Sequence, residues 1–385
     1  LGAAGQSVNT GSGGTNTIDF AALTATGTFT TQASDIIKLS NTANIAGAVL
    51  SGGSAGDAFT ADDLTLVNGA SVSMTAAQNN GFGGTVTAAG TGVGGEQITL
   101  TNAADSTALS GIETYQLAAG TQTITLADTA QNVTAHGTGG SGVVTIDTGT
   151  TLTSVTGTFD DNTGDDQIKV LLSHTTGVDI SSLDMTDVNN VALNTNAKGT
   201  MTIAQNNVIN AAAGTNKVTL ADAGTVTANA NVQEYVLFAG GGTTLTLSEA
   251  AQSVTTSTGA GDDIIDVLAY TATGTFNTEA GDTIKLSNSA NIAGVDGEGN
   301  GAGAALDAAK LTLANGASVS MTAAQNNGFT GTVTAAGTGG SGEQITLTTT
   351  GTVTGESVIE TYVLSGNSNV FTIGTAAQSV NTGTG

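Results

Sequence analysis

The sequence predicts an all-β fold, a parallel β-solenoid or β-roll-like structure built from three long tandem repeats with short loop and helical insertions. One observation behind this is that short apolar alternations rich in Thr, Val and Ile recur about 9–15 residues apart, separated by Gly, Asn, Asp and Ser. The other is that long segments of the chain repeat. Short strands that recur in a repeated unit are typical of coils that stack on one another.

The composition limits the kind of core that such coils can form. Of the 385 residues, 56 are glycine and 3% are aromatic, while proline, cysteine and tryptophan are absent. Antiparallel sandwich domains also fit the strand spacing. We favour a solenoid because two-residue Asn-Gly and Asp-Gly turns are scarce and aromatic core residues are few. Small and β-branched side chains also suit the narrow interior of a coil.

The charge excludes several classes of partner. The net charge is −25, with 31 acidic side chains against six basic ones, all of them lysine. Binding to nucleic acid needs clusters of Lys and Arg, so nucleic acid is excluded as a partner and anionic membrane surfaces are disfavoured. The sequence has no apolar run approaching 18 residues, which predicts no membrane insertion. Because cysteine is absent, disulfides do not brace the fold.

The repeats set the predicted domain organisation. Residues 68–92 recur at 315–339 with one change, Gly83 against Thr330, and residues 199–207 are a diverged copy between them. The resulting units are 1–125, 126–247 (the diverged unit) and 248–374. Residues 375–385 are expected to begin a fourth unit or to continue into the next subunit.

Single residues and insertions follow the same period. A tyrosine precedes a repeated glutamine by 16 or 17 residues in every unit, at Tyr115, Tyr235 and Tyr362. A glutamate lies beside each tyrosine and is expected to be exposed, at Glu113, Glu234 and Glu360. Two Gly-, Ala- and Asp-rich insertions, at 41–63 and 288–309, are expected to form bulged loops with a short helical turn.

A glycine-rich turn at 258–267 carries the clearest chemical signal. It contains the pattern Gly259-x-Gly261-x-Asp263-x-Ile265, in which glycines with positive φ turn carbonyl oxygens inward and Asp adds a hard oxygen ligand. The same order recurs at 164–168, and at 14–18 with Asn in place of Asp. Calcium prefers six to eight such oxygens, so the sequence predicts several bound calcium ions.

The predicted calcium ligands all lie in or beside these turns. They are Gly259, Gly261, Asp262, Asp263, Asp266, Asp282, Asp165, Asp166, Asp161, Asn16, Asp19, Asp35 and Asp147. In the first and third units a second Asp follows about 19 residues later, which places two turns on the same side of adjacent coils. Solvated turns in which Asp makes local hydrogen bonds are the alternative.

A row of salt bridges is a second interpretation for some of these residues. An Asp follows a strand isoleucine in each unit, at Asp19, Asp147 and Asp266. A Lys follows the isoleucine of the next strand, at Lys38, Lys169 and Lys285. Asp–Lys pairs on one outer face would explain both series, at about 0–1 kcal/mol for each exposed pair.

Catalysis is not indicated by the sequence. His136 and His174 have no counterpart in the other units and no zinc-binding spacing. The informative residues recur three times, whereas a catalytic site is a unique constellation. Thr-x-Thr elements would also suit the flat ladder of an ice-binding solenoid, but Thr is a strong strand former and a solvated strand face is the preferred interpretation. We therefore expect that the chain is not an enzyme.

With these turns and repeats, the chain resembles the Ala/Thr/Gly-rich β-strand-repeat surface proteins of Gram-negative bacteria with RTX-like calcium turns. It is also similar to the calcium-dependent repeats of S-layer and biofilm-matrix proteins. The resemblance implies type I secretion of an unfolded chain, an extracellular or cell-surface location, and folding on contact with calcium.

The expected function is that of a secreted structural protein. Copies of the chain are expected to assemble head-to-tail into extracellular filaments, a surface layer or a biofilm matrix, stabilised by calcium. The expected partners are further copies of the chain and a polysaccharide matrix. The alternative is an adhesin stalk that presents a binding domain outside this segment.

Overall fold

The computed structural model describes residues 1–88, 95–136, 142–162, 166–210, 214–259, 261–335, 342–366 and 368–382. Two compact units make up the chain, Leu1–Asn194 and Thr195–Gly385. This division by packing differs from the division into three sequence repeats, which stays a prediction.

The first unit consists of short strands and one short helix. They are β1 (Val8–Asn9), β2 (Thr17–Phe20), β3 (Thr28–Thr30), β4 (Ile36–Leu39), β5 (Val49–Leu50), β6 (Asp63–Leu66), β7 (Ser71–Met74), α1 (Ala76–Gly81), β8 (Val86–Ala88), β9 (Gln97–Leu100), β10 (Ser106–Thr107), β11 (Thr114–Gln116), β12 (Gln122–Thr125), β13 (Asn132–Thr134), β14 (Val143–Asp147), β15 (Phe159–Asp160), β16 (Gln167–Leu172), β17 (Val178–Asp179) and β18 (Val188–Leu193).

These strands stack in parallel, one coil on the next. The sheets of the first unit have the orders β1-β3-β5, β2-β4-β6-β8, β15-β13-β11-β9-β7 and β10-β12-β14-β16-β18. Ile18 pairs with Ile37, and Ile37 pairs in turn with Leu64. Consecutive strands along the chain alternate between two sheets at a time, so each coil contributes one strand to each of those two sheets.

The second unit has the same construction. Its elements are β19 (Lys198–Met201), α2 (Ile203–Asn206), β20 (Lys217–Leu220), β21 (Thr225–Thr227), β22 (Glu234–Val236), β23 (Thr244–Thr246), β24 (Ser253–Thr255), β25 (Ile264–Asp266), β26 (Thr275–Asn277), β27 (Thr283–Leu286), β28 (Ala290–Asn291), β29 (Asp296–Gly297), β30 (Lys310–Leu313), β31 (Ser318–Met321), α3 (Ala323–Gly328), β32 (Val333–Ala335), β33 (Gln344–Leu347), β34 (Thr352–Thr354), β35 (Thr361–Val363), β36 (Val370–Thr372) and β37 (Ser379–Asn381). The sheets are β19-β20-β22-β24-β26-β29, β21-β23-β25-β27-β30-β32, β28-β31-β33-β35-β37 and β34-β36.

Alternation along the strands places the core inside the coils. In β4, Ile37 and Leu39 are buried, whereas Ile36 and Lys38 are partly exposed. Equivalent positions stack directly, so one aliphatic side chain packs on another through successive coils. Full burial of each such side chain contributes about 1.5–3 kcal/mol, which compensates for the low aromatic content.

The short helices begin at capping boxes. The Thr75 hydroxyl accepts the N–H of Gln78, and the Gln78 side chain accepts the N–H of Thr75. The same box precedes α2 and α3. The helical turns predicted in the insertions at 41–63 and 288–309 do not form there, and β5 lies in the first of them instead. The predicted turn at 58–64 is extended instead, with Phe59 and Ala61 buried, Thr60 exposed between them, and β6 beginning at Asp63.

The pairing confirms the predicted fold class. Each described pairing between two named strands is parallel, as in β2 with β4 and β25 with β27. The antiparallel contacts of the described residues are isolated bridges within the insertions, Val49 with Ala55 and Asp296 with Ala302. The chain is therefore an all-β parallel solenoid in each unit, and the alternative of antiparallel sandwich domains is wrong.

Candidate functional site

A repeated hydrogen bond joins consecutive coils where the strands begin. The backbone N–H just before one strand donates to a side-chain oxygen just before the next strand of the same sheet. Asn16 N lies 2.9 Å from Asp35 Oδ1, and Asp263 N lies 2.9 Å from Asp282 Oδ1. These are turns at which the sequence predicted calcium ligands, because Asp and Asn oxygens suit both tasks.

Asp263, at the centre of the predicted calcium turn, is completely buried and faces hydrogen-bond donors. One carboxylate oxygen accepts the N–H of Thr243 in the preceding coil at 2.8 Å. The other accepts the N–H and the hydroxyl of Ser257 at 3.0 and 3.1 Å. The carboxylate thus satisfies buried backbone donors from two turns of the chain.

Asp282 lies one coil after Asp263, and Asp35 lies at the equivalent position one coil after Asn16. Each accepts the N–H of the residue three positions earlier at 2.7 Å and a threonine hydroxyl at 2.5 Å. Burial alone would raise the pKa of Asp35, but hydrogen bonds from Thr10, Gln32 and Asn16 lower it from 3.8 to about 2. The surrounding donors therefore stabilise the ionised form.

Asp–Lys pairs lie on one face of the strands, as the sequence predicted. Lys38 Nζ lies 2.7 Å from Asp19 Oδ2, and Lys285 Nζ lies 2.9 Å from Asp266 Oδ2. Burial would raise the pKa of Asp266, but hydrogen bonds from Ser287 and Lys285 lower it overall. Both predicted calcium ligands in these pairs are thus neutralised by a lysine in the next coil.

The third predicted Asp–Lys pair does not form. Asp147 lies opposite Leu171 in the strand register, and Lys169 lies opposite Thr145. The two charged residues are therefore two positions out of step, which explains why the spacing that produced the other pairs fails here. Asp147 Oδ1 instead accepts the N–H of Gly149 at 2.8 Å.

The glycines of the predicted calcium turn are required by close stacking. A Cβ on Gly261 would lie 2.8 Å from the carbonyl carbon of Gly241 in the preceding coil, and a Cβ on Gly259 would also overlap that coil. The positive φ expected at Gly259 and Gly261 is not observed, so this expectation is wrong. Asp262 points outward, with Oδ2 2.5 Å from Lys310 Nζ.

Asp161, another predicted ligand, belongs to an acidic cluster of the first unit. Carboxylate oxygens of Asp160, Asp161 and Asp187 lie within 4.8 Å of one another. Asp166 is buried, and its Oδ1 accepts a backbone N–H of the preceding coil at 3.0 Å. Asp165 lies outside the described residues. Hard oxygen ligands at this separation suit a cation such as calcium, and the calcium assignment stays a prediction.

The repeated tyrosines are tied to the short helices. The hydroxyl of Tyr235 accepts the N–H of Asn229 at 2.7 Å and donates to Asn206 Oδ1 on α2 at 3.0 Å. Tyr115 and Tyr362 make the equivalent bonds. Each ring is completely buried, so its hydroxyl fixes the helix and the turn to the core.

The repeated glutamines close the next turn of each coil. Gln252 Nε2 donates to the carbonyls of Asn229 and Val232 in the preceding coil, both at 2.9 Å. Its Oε1 accepts the N–H groups of Ser248 and Glu249 at 2.8 and 3.1 Å. Gln131 and Gln378 make the same set of bonds.

Two glutamate pairs between coils were missed by the sequence analysis. The N–H of Glu96 donates to Glu113 Oε2 at 2.8 Å, and the N–H of Glu343 donates to Glu360 Oε2 at 2.9 Å. The expected exposure of Glu113 and Glu360 is wrong, because both are half-buried. The available signal was the sequence Gly-Glu-Gln-Ile-Thr-Leu, which occurs at 95–100 and again at 342–347.

The repeated polar side chains thus hold successive coils together, and they do not converge on a single reacting atom. Among the described residues, no helix is long and apolar enough to cross a membrane. No protein-family model, curated protein or solved structure matches the chain.

Proposed function

We propose that the chain is a secreted structural protein whose stacked coils form the body of an extracellular filament, a surface layer or a biofilm matrix. The observation that carries the proposal is the use of the repeated Tyr, Gln and Asp side chains, which bond to adjacent coils. A binding or catalytic site directs such groups towards a ligand. Polar groups that join each coil to the next instead support a continuous, register-locked scaffold.

Self-assembly is proposed from the same bonds. Successive coils present one another with strand N–H and C=O groups, and some coils add a glutamine amide or a carboxylate to this set. A coil from a second copy can therefore stack with contacts that already exist within one chain. The net charge of −25 opposes such stacking, so cations are expected to favour it.

We propose calcium as the cation that reduces the repulsion between negatively charged copies. Asp263 and Asp282 are buried and face N–H and O–H donors, so they are unfavourable first sites for an ion. Asp160, Asp161 and Asp187 bring carboxylate oxygens within 4.8 Å of one another. We therefore place the proposed calcium response at this cluster.

The test is assembly of the full chain with and without millimolar calcium, followed by light scattering and electron microscopy. Asp187→Asn removes one charge from the cluster. Asp184→Asn is the matched control, because Asp184 is exposed and its Oδ1 accepts the N–H and hydroxyl of Thr186 outside the cluster. The wild type and the control should assemble with calcium, and Asp187→Asn should need more calcium.

Two results would count against the proposal. A chain that stays monomeric at every protein and calcium concentration contradicts self-assembly and favours the adhesin stalk. An equal calcium response in all three proteins contradicts the assignment to the cluster, while leaving the structural role intact.

A further inference from the structure

We propose that Glu96 with Glu113, and Glu343 with Glu360, are proton-holding carboxyl pairs that make the junction between their coils sensitive to pH. In each pair one proton is held in the folded state, and loss of that proton as pH rises weakens the junction. This sensitivity to pH belongs to the solenoid itself and does not require filament formation.

Glu113 and Glu360 pack closely against the preceding coil. The hydrogen bonds from the N–H groups of Glu96 and Glu343 fix one oxygen of Glu113 and of Glu360. A Cβ on Gly95 would lie 2.7 Å from Glu113 Cδ, so a larger residue there would displace the Glu113 carboxyl. Gly342 is equally close to Glu360, with the added Cβ 2.6 Å from its Cβ.

Burial makes an ionised pair costly. Glu343 is completely buried, and neither of its carboxylate oxygens has a hydrogen-bond partner among the residues that the structure describes. An isolated carboxylate in such a place is strongly disfavoured relative to the neutral acid. A bound proton removes the charge without requiring any further group.

In the pair of Glu96 and Glu113, the surroundings also favour the neutral form of Glu113. Burial, together with a hydrogen bond between the Glu113 and Glu96 side chains, raises the pKa of Glu113 above its ordinary value of 4.5. Two carboxyls can share a hydrogen bond only while one of them is protonated.

The second unit contains a neutral version of the same junction. The N–H of Asn216 donates to Gln233 Oε1 at 2.8 Å, at the place that glutamates occupy in the other copies. The residue before Asn216 is Thr215, where Gly95 and Gly342 precede the glutamates. Amides reproduce the link without charge, as a protonated carboxyl does. A cation site would lose all of its charge in this copy, so a proton is the better assignment.

The charged groups around the pairs support retention of the proton. Asp128 lines the same cavity of about 240 Å³ as Glu113, and its charge is also negative. Beside Glu360, the cavity of about 280 Å³ has otherwise neutral lining residues, and Glu356 lies on the same turn. The lysine ion pairs of the described residues all involve other acidic side chains.

The direction of the pH effect follows from the raised pKa. The folded state binds the proton more tightly than the unfolded chain does. The stabilisation is therefore complete below the unfolded value of about 4.5 and is lost as pH rises through the folded value. The unfolding equilibrium constant should increase by up to about tenfold for each unit by which the pKa is raised.

The test compares the full chain with E113Q, E360Q and the double variant, since glutamine is the residue found at position 233. E249Q is the control, because Glu249 is exposed and the substitution removes the same charge. Urea midpoints are measured by circular dichroism from pH 4 to pH 8. Carbon-13 labelling of the glutamate carboxyls follows their titration directly.

We expect the pair variants to match the wild type near pH 4 and to have higher urea midpoints at pH 8, whereas E249Q follows the wild-type curve. The Glu113 carboxyl should titrate above its ordinary range. Parallel stability curves for all proteins would overturn the proposal, as would ordinary titration of Glu113. A higher midpoint of the variants at pH 8 that appears only after metal cations are removed would replace the proton with a cation.

Discussion

Replacing Asp263 by alanine tests whether the turn predicted to bind calcium is held by hydrogen bonds. The substitution removes the acceptor for the Thr243 N–H in the preceding coil and for the Ser257 N–H in the same turn. The position is completely buried, so solvent replaces the carboxylate poorly. Each buried donor left without an acceptor costs about 1–3 kcal/mol, and two backbone donors predict a loss of about 2–6 kcal/mol.

The neighbouring residue provides a matched control. Asp262 has the same side chain, but it is 56% exposed and paired with Lys310 at 2.5 Å. Replacing it by alanine should cost about 0–1 kcal/mol, because exposed ion pairs contribute little. Urea unfolding followed by circular dichroism in the presence of EDTA compares the two variants without any contribution from bound calcium.

Two outcomes would refute the hydrogen-bond role. One is equal loss of stability in both variants, since the buried and exposed carboxylates would then be equivalent. The other is a loss of stability in Asp263→Ala that occurs only when calcium is present. That second outcome would show that Asp263 acts through an ion, as the sequence pattern first suggested.

Three further substitutions, one of them with a matched control, test other parts of the scaffold. Gly157→Ala should cost about 1–3 kcal/mol in urea unfolding, because its Cβ would overlap the carbonyl of Gln131, whereas Gly83→Ala has no atom within 4 Å of the added Cβ and should be neutral. Tyr235→Phe should cost about 1–3 kcal/mol by the same assay, because it leaves the half-buried N–H of Asn229 without its acceptor and removes the donor to Asn206 Oδ1. Asp35→Asn should remove a loss of stability that the wild type shows as pH falls from 3.8 towards 2, measured as the urea midpoint across that range.

The strand pattern and its spacing predict short strands with one buried face, and the scarcity of Asn-Gly and Asp-Gly turns and of aromatic residues favours a solenoid over an antiparallel sandwich. In β2 buried positions alternate with more exposed ones, and the same alternation recurs 19 residues later in β4. Parallel pairing places these equivalent apolar residues on one another in successive coils. The Asp–Lys pairs at Lys38 and Lys285 could be predicted for the same reason, since their spacing equals one coil.

The roles of the turn residues could not be predicted in this way. A carboxylate accepts an N–H or binds a cation equally well, so the Gly-x-Asp pattern does not reveal which of the two faces Asp263. Which of the two faces Asp263 depends on whether N–H groups of the preceding coil point towards its carboxylate. The glutamate pairs were missed for a related reason, because the partner of Glu96 is set by the length of the coil that follows it. The helix at 76–81, by contrast, could have been placed from Thr75 and Gln78, which form a capping box in the sequence itself.

The two kinds of coil-joining carboxyl respond to pH in opposite directions, although burial acts on both in the same sense. Asp35 faces N–H and O–H donors that outweigh its burial, so its pKa falls from 3.8 to about 2 and its stabilisation is lost as pH falls through that range. Glu113 faces another carboxyl, so its pKa rises above 4.5 and its stabilisation is lost as pH rises through the raised value. Both contributions are complete together only between 3.8 and 4.5. The partner presented by the neighbouring coil thus decides whether a buried acid stabilises the solenoid as an anion or as a neutral group.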